Sequence, residues 1–181
     1  MDRYAAFLRG MNLGRRRITN EALRAHVAEL GFEDVATFRA SGNVIFGAPG
    51  DELLGTVGRR LEEGLGKALR YDVPVFARTA EQVRGMAAFA PFDAKLVTAS
   101  KGKLQVSLLT RRPTAAASRR ALALATDEDL LAIEGAELYW LPSGGTIESA
   151  LDLKALAKLL GPATMRTKGT IEQIAERYFS D

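Results

Sequence analysis

The sequence predicts an α+β protein built from two tandem ferredoxin-like halves, with antiparallel sheets and an extra C-terminal helix. Three observations predict it. Apolar periodicity over the first 79 residues reads β-α-β-β-α-β, the ferredoxin-like arrangement. Residues 101–181 repeat that order approximately, after a connecting helix and linker over 80–100. Each half also closes its last strand on Arg-Thr before a helix: Arg78-Thr79 ahead of Glu81-Gln82-Val83, and Arg166-Thr167 ahead of Glu172-Gln173-Ile174.

Tyr4 to Leu8 is an apolar run that suits a central strand. After a polar loop, Thr19 is placed to cap a helix with Leu23, Val27 and Leu30 on one face, ended by Gly31. Val35 to Ala40 and Val44 to Phe46 read as strands around Ser41-Gly42-Asn43, a turn tripeptide tolerant of positive φ. Asp51 is expected to cap a second helix carrying Leu54, Val57, Leu61 and Leu65. Its four glycines, each costing about 1 kcal/mol against Ala, imply fraying or close approach to a neighbour. Pro74 to Arg78 is the fourth strand, its proline suiting an edge or a strand start.

In the second half, Leu104 to Leu109 is a strand, and Thr114 caps a helix running to about Leu124. Leu130 to Ile133 and Glu137 to Leu141 form a hairpin around Gly135. Ser149 is expected to cap a helix with Leu153, Leu156 and Leu160, closed by Gly161-Pro162. Ala163 to Arg166 is the final strand, and Thr170 with Gln173 opens the last helix as a capping box.

Composition narrows the chemistry. The chain contains no cysteine, which removes disulfides, thiolate zinc sites, iron–sulfur clusters and thiol nucleophiles. His26 is the one histidine, so a multi-His metal site is excluded and at most one imidazole base is available. No window approaches the roughly 20 apolar residues of a membrane span, and the N-terminal apolar stretch is too short for a signal peptide. A cytoplasmic protein is expected. The net charge of +3 conceals two blocks: Lys95 to Arg120 holds seven basic residues and no acid, and Ala121 to Asp152 seven acids and no Lys or Arg.

Leu8-Arg9-Gly10-Met11-Asn12-Leu13-Gly14, Leu23-Arg24, Leu30-Gly31-Phe32 and Ser41-Gly42-Asn43-Val44-Ile45-Phe46 resemble the signature of a bacterial family known as domain of unknown function 1697. The resemblance covers essentially the whole chain and implies two ferredoxin-like halves, with no established activity, cofactor or catalytic residue. The chain departs from the family at two places. Members commonly carry Ser-Lys-Leu where it has Ser149-Ala150-Leu151, and Thr-Arg-Asn-Trp-Asn-Thr where it has Met165 to Thr170, including Lys168-Gly169. If those residues serve a common site, part of it has been lost or rebuilt here.

Among candidate residues, the loop Arg9 to Arg17 ranks first. Arg9, Arg15, Arg16 and Arg17 stand without an acid, Gly10 and Gly14 let the backbone approach a ligand, and Asn12 both donates and accepts. Arginine forks match phosphate and carboxylate oxygens, and the following helix points N–H groups into the same space. The loop is neither a Walker A loop nor a dinucleotide fingerprint. Its alternative is a solvated basic turn. Ser41 and Asn43 form the second candidate, with a simple tight turn as the alternative and Arg39 beside them. Arg166, with Lys168, forms a third basic point, or else simply ends a strand. His26 reads as a residue flanking the core. Asp127, Glu128 and Asp129 suit a hydrated turn better than Mg²⁺. Of Tyr139 and Trp140, strand alternation turns one outward.

These features imply no metal and no cofactor, and leave the catalytic residues unknown. Three functions follow: a binder of a phosphorylated small molecule or short nucleic acid, a hydrolase or transferase using the same pocket with His26 or a carboxylate as base, or a structural module that oligomerises through sheet edges.

Overall fold

The computed structural model describes residues 1–40 and 42–180. Eight strands and seven helices are found among them. The strands form two four-stranded sheets, both wholly antiparallel. The chain divides into two compact units: Met1–Gly85 together with the stretch from Ile174 onward, and Met86–Gln173.

In the first unit the order is β1 (Asp2–Leu8), α1 (Asn20–Glu29), β2 (Glu33–Thr37), β3 (Asn43–Ala48), α2 (Leu54–Leu69) and β4 (Val75–Thr79), followed by α3 (Ala80–Ala88). The sheet order is β2-β3-β1-β4. Tyr4 to Leu8 and the whole of β3 are buried, as strands covered on both faces must be. Helix α2 lays Val57, Leu61 and Leu65 into the core, all three inaccessible to solvent. Burying a side chain of this size contributes about 1.5–3 kcal/mol. Arg60 clasps Glu52 at 2.8 Å and lies 3.8 Å over the Phe32 ring. The C-terminal stretch is tied to this unit by Arg3 and Arg84, which donate to the carbonyls of Tyr178 and Phe179.

The second unit follows with α4 (Ala94–Ala99), β5 (Gln105–Leu109), α5 (Ala115–Leu122), β6 (Asp129–Glu134), β7 (Glu137–Pro142), α6 (Leu153–Leu160), β8 (Ala163–Thr167) and the start of α7 (Lys168–Tyr178). Its sheet order is β6-β7-β5-β8. A smaller core gathers Ala121, Leu138, Trp140, Leu151 and Leu156.

Each unit repeats the register of the other. Leu8 pairs with Val75, and Leu109 with Ala163. Three residues on, Arg78 faces Ala5 and Arg166 faces Val106. The Leu8 N–H donates to the Gly42 carbonyl at 2.8 Å, and the Leu109 N–H to that of Ala136 at 2.9 Å. Thr79 and Thr167 then cap α3 and α7, their hydroxyls accepting from the N–H of Gln82 and Thr170.

Several local expectations are corrected. Asp51 does not cap α2: Leu53 is the N-cap and brings no side-chain acceptor. Asp152, not Ser149, caps α6, accepting from the Ala155 N–H at 2.9 Å. The last helix begins at Lys168, before Thr170, because Thr167 supplies its cap. A capping box with a reciprocal Gln forms at Thr79–Gln82, where the Gln82 side chain accepts from the Thr79 N–H. Helix α4, opened by Asp93, lies in a stretch read as linker.

Candidate functional site

The loop from Arg9 to Ile18 leaves the end of β1 and is fixed from three sides. The Arg9 N–H donates to the Pro74 carbonyl at 3.0 Å. Met11 is buried and anchors the loop in the core. The Asn12 amide bridges outward and inward: Nδ2 donates to the Ala40 carbonyl at 2.8 Å, and Oδ1 accepts from the Ile18 N–H at 3.3 Å. Gly10 and Gly14 both hold positive φ, at +74° and +59°, where a side chain would strain the backbone.

Because β1 and β3 run antiparallel, the loop meets the turn that precedes β3. A Cβ on Gly42 would stand 2.9 Å from Met11 Cγ and 3.1 Å from Leu8 Cβ, so glycine is required there for packing as well as for its φ of +73°. Asn43 is buried and donates through Nδ2 to the Phe38 carbonyl at 2.9 Å, closing the turn. Arg39 has φ of +59°, and its guanidinium lies 5.5 Å from the Phe38 ring centre. Ser41 lies outside the described residues.

The four arginines divide by role. Arg17 donates to the carbonyls of Asn12 and Arg16, holding the loop's own backbone. Arg16 stacks 4.2 Å over the Tyr71 ring. Arg9 and Arg15 are exposed and make no side-chain hydrogen bond or ion pair with any described residue. At the start of α1, Thr19 accepts from the Ala22 N–H at 3.1 Å, and the first intrahelical bond is that of Leu23. The N–H groups of Asn20 and Glu21 precede the helix's own ladder. The Glu21 carboxylate sits in this first turn and opposes part of the positive charge.

The remaining candidates stand elsewhere. Arg166 lies on β8 in the second unit, half-buried, donating to Thr164 Oγ1 and the Met165 carbonyl. Burial pushes its guanidinium down to about 10, so it keeps its charge at neutral pH. Lys168 is buried and donates to the Ala87 carbonyl and to Glu172, both at 2.8 Å. His26 stands half-buried in the last turn of α1, with Nδ1 3.5 Å from the carboxylate of Glu29 three residues on.

Asp129 is more built than its sequence suggested. It is 3% exposed and accepts from Trp140 Nε1 and Ser149 Oγ, both at 2.8 Å, so it holds a hairpin and a loop together. Among the described residues no group of three or more His, Asp or Glu is arranged for a metal ion. Tyr139 and Trp140 are both buried, against the expectation that one faces outward. Strand β7 is covered on both faces, with the Tyr139 ring 4.9 Å from that of Phe89. Sequence reasoning also missed a cleft of about 660 Å³ in the second unit, between the β5–α5 loop and the end of α6. The adjacent arginines ahead of a Thr cap were its available signal.

Residues 1–139 match the family described as "Protein of unknown function (DUF1697)". The chain belongs to this family. Its fold is similar to that of a conserved bacterial protein from Streptococcus pneumoniae, with a TM-score of 0.73 and 18% sequence identity over 99% of each chain. At that identity the likeness concerns the fold alone. No curated protein matches the sequence. No helix among the described residues is long and apolar enough to cross a membrane.

Proposed function

We propose that this DUF1697 protein binds a phosphate-bearing ligand, a nucleotide or short nucleic acid, through the loop Arg9 to Arg17. One observation carries the reading: Arg9 and Arg15 have no ion pair or side-chain hydrogen bond with any described residue, on a loop whose backbone Asn12, Met11 and Arg17 hold fixed. Unengaged guanidinium groups on a fixed backbone are suited to oxyanions, because no existing partner has to be displaced and only the side chains remain to be ordered. Arg16 and Arg17 contribute charge while serving the loop's own packing. Asn12, Asn43 and Gly42 act as its support, and Arg166 is left to its strand. We further propose that each half is a ferredoxin-like module, 1–79 and 101–181 joined by 80–100, with the stretch from Ile174 onward packed in the first unit. The shared strand order and the matched Arg-Thr positions support duplication.

Thermal denaturation in the presence of nucleotides, oligonucleotides and polyphosphates, at low and high salt, tests the proposal. A ligand at about 100 times its dissociation constant stabilises by roughly 2.7 kcal/mol, or about 5–10 °C for a chain of this size. The shift is expected to shrink with salt and to fall in Arg9→Ala/Arg15→Ala. No shift with any phosphorylated compound contradicts it.

A further inference from the structure

The cleft of the second unit repeats, with fewer compromises, the cationic features of the first unit's loop. It is lined by Thr110 to Thr114 on one side and Lys158 to Pro162 on the other, and encloses about 660 Å³. That is within the roughly 300–1,000 Å³ of small-molecule sites. Arg111 and Arg112 stand three and two residues before the cap Thr114, as Arg16 and Arg17 stand before the cap Thr19. The two caps accept from the third helical N–H at the same 3.1 Å. Between strand and cap, however, the second loop has four residues where the first has ten.

Charge separates the two places. Arg16 and Arg17 are engaged by Tyr71 and by backbone carbonyls, and Glu21 opposes them from the first turn of α1. Arg111, Arg112 and Lys158 are exposed, make no ion pair with any described residue, and face no acid in the first turn of α5. Among the described residues no acid lines the cleft. Helix ends carry about half a charge each, so the N-terminus of α5 and the C-terminus of α6 offset one another, and three formal positive charges remain. The N–H groups of Ala115 and Ala116 precede the first intrahelical bond of α5, that of Ser118 to Thr114. Another cleft of the unit, about 290 Å³, holds Glu128, Asp129 and Glu148 against Lys101 and has the wrong sign for an anion.

We propose that the cleft between the β5–α5 loop and the end of α6 is a second anion site, which takes a short chain of phosphoryl groups gripped by Arg111, Arg112 and Lys158. It is built from residues distinct from the Arg9–Arg17 loop and stands or falls separately. The shared chemistry is the phosphoryl chain, free or carried by a nucleoside.

The test is a titration of the ¹⁵N-labelled full chain with inorganic tripolyphosphate, and in parallel with a nucleoside triphosphate, followed at individual amides. Saturable shifts are expected at Arg111, Arg112, Ala115 and Ala116. Arg111→Gln/Lys158→Gln, both exposed positions, should keep the melting temperature and weaken these shifts at least about tenfold. Arg9→Ala/Arg15→Ala should leave them unchanged, so failure of the first site is distinguishable from failure of this one. Tighter binding of the nucleoside triphosphate than of tripolyphosphate assigns a nucleotide, and equal binding assigns the phosphoryl chain alone. The proposal is overturned if those amides do not move, if chloride at matched ionic strength moves them equally, or if the double variant binds at full affinity.

Discussion

The Asn12 amide commits both of its polar groups to backbone, donating to Ala40 and accepting from Ile18. Asn12→Ala removes both bonds and leaves a carbonyl and an N–H to find water. The expected loss is about 1–2 kcal/mol in urea denaturation, with anion affinity falling as the loop loosens. Asp129 makes the analogous case in the second unit. Asp129→Ala orphans the buried indole N–H of Trp140 and the Ser149 hydroxyl, and should destabilise by about 2–3 kcal/mol with a shift in Trp140 fluorescence. An Asp129→Asn variant retaining the acceptor to Trp140 should lose less. The two residues differ in legibility. Asn12 is visible in the sequence because it sits between two turn glycines and among arginines. Asp129 is not, since its partners Trp140 and Ser149 lie eleven and twenty residues on and are brought to it by strand register and a loop's return. Residue type alone does not distinguish a hydrated acidic turn from a buried carboxylate clamp.

Helix α2 shows what periodicity can and cannot read. Leu54, Val57, Leu61 and Leu65 announce the buried face, and Leu61→Ala should cost about 2–5 kcal/mol because the side chain is fully enclosed. The four glycines of the same helix look alike in sequence and do different things. A Cβ on Gly64 would overlap the Leu30 side chain, so this glycine lets α1 and α2 approach, whereas a Cβ on Gly55 meets nothing within 4 Å. Gly55→Ala is therefore expected to stabilise by about 0.5–1 kcal/mol, and Gly64→Ala to gain nothing or lose stability, both measurable by thermal melting. Caps were legible where a hydroxyl preceded a periodic run without a competitor, as at Thr19 and Thr114. They were misread where two candidates stood within a few residues. Asp152 prevails over Ser149, whose hydroxyl donates to Asp129 and accepts from the Leu151 N–H.

Across the whole molecule, the order of strands was the most legible property, because strongly apolar central strands and glycine-bearing turns mark the chain at regular intervals. The assignment of the chain's end was less so: the stretch from Ile174 onward belongs to the same compact unit as Met1–Gly85, a long-range association that no local pattern encodes. The chain has no cysteine and one histidine, and the proposed sites rely on arginine, asparagine and backbone N–H, groups suited to holding anions. The central claim, that Arg9 and Arg15 on the fixed loop bind a phosphate-bearing ligand, is tested most directly by isothermal titration of the full chain and of Arg9→Ala/Arg15→Ala with a nucleotide series at low salt. To isolate the loop, the second-unit cleft is neutralised in both proteins by Arg111→Gln/Lys158→Gln. Saturable binding that the loop substitutions weaken by about tenfold or more, with unchanged melting temperature of the free protein, is the result predicted. Equal affinity with and without the two arginines, or no heat with any nucleotide, would contradict it.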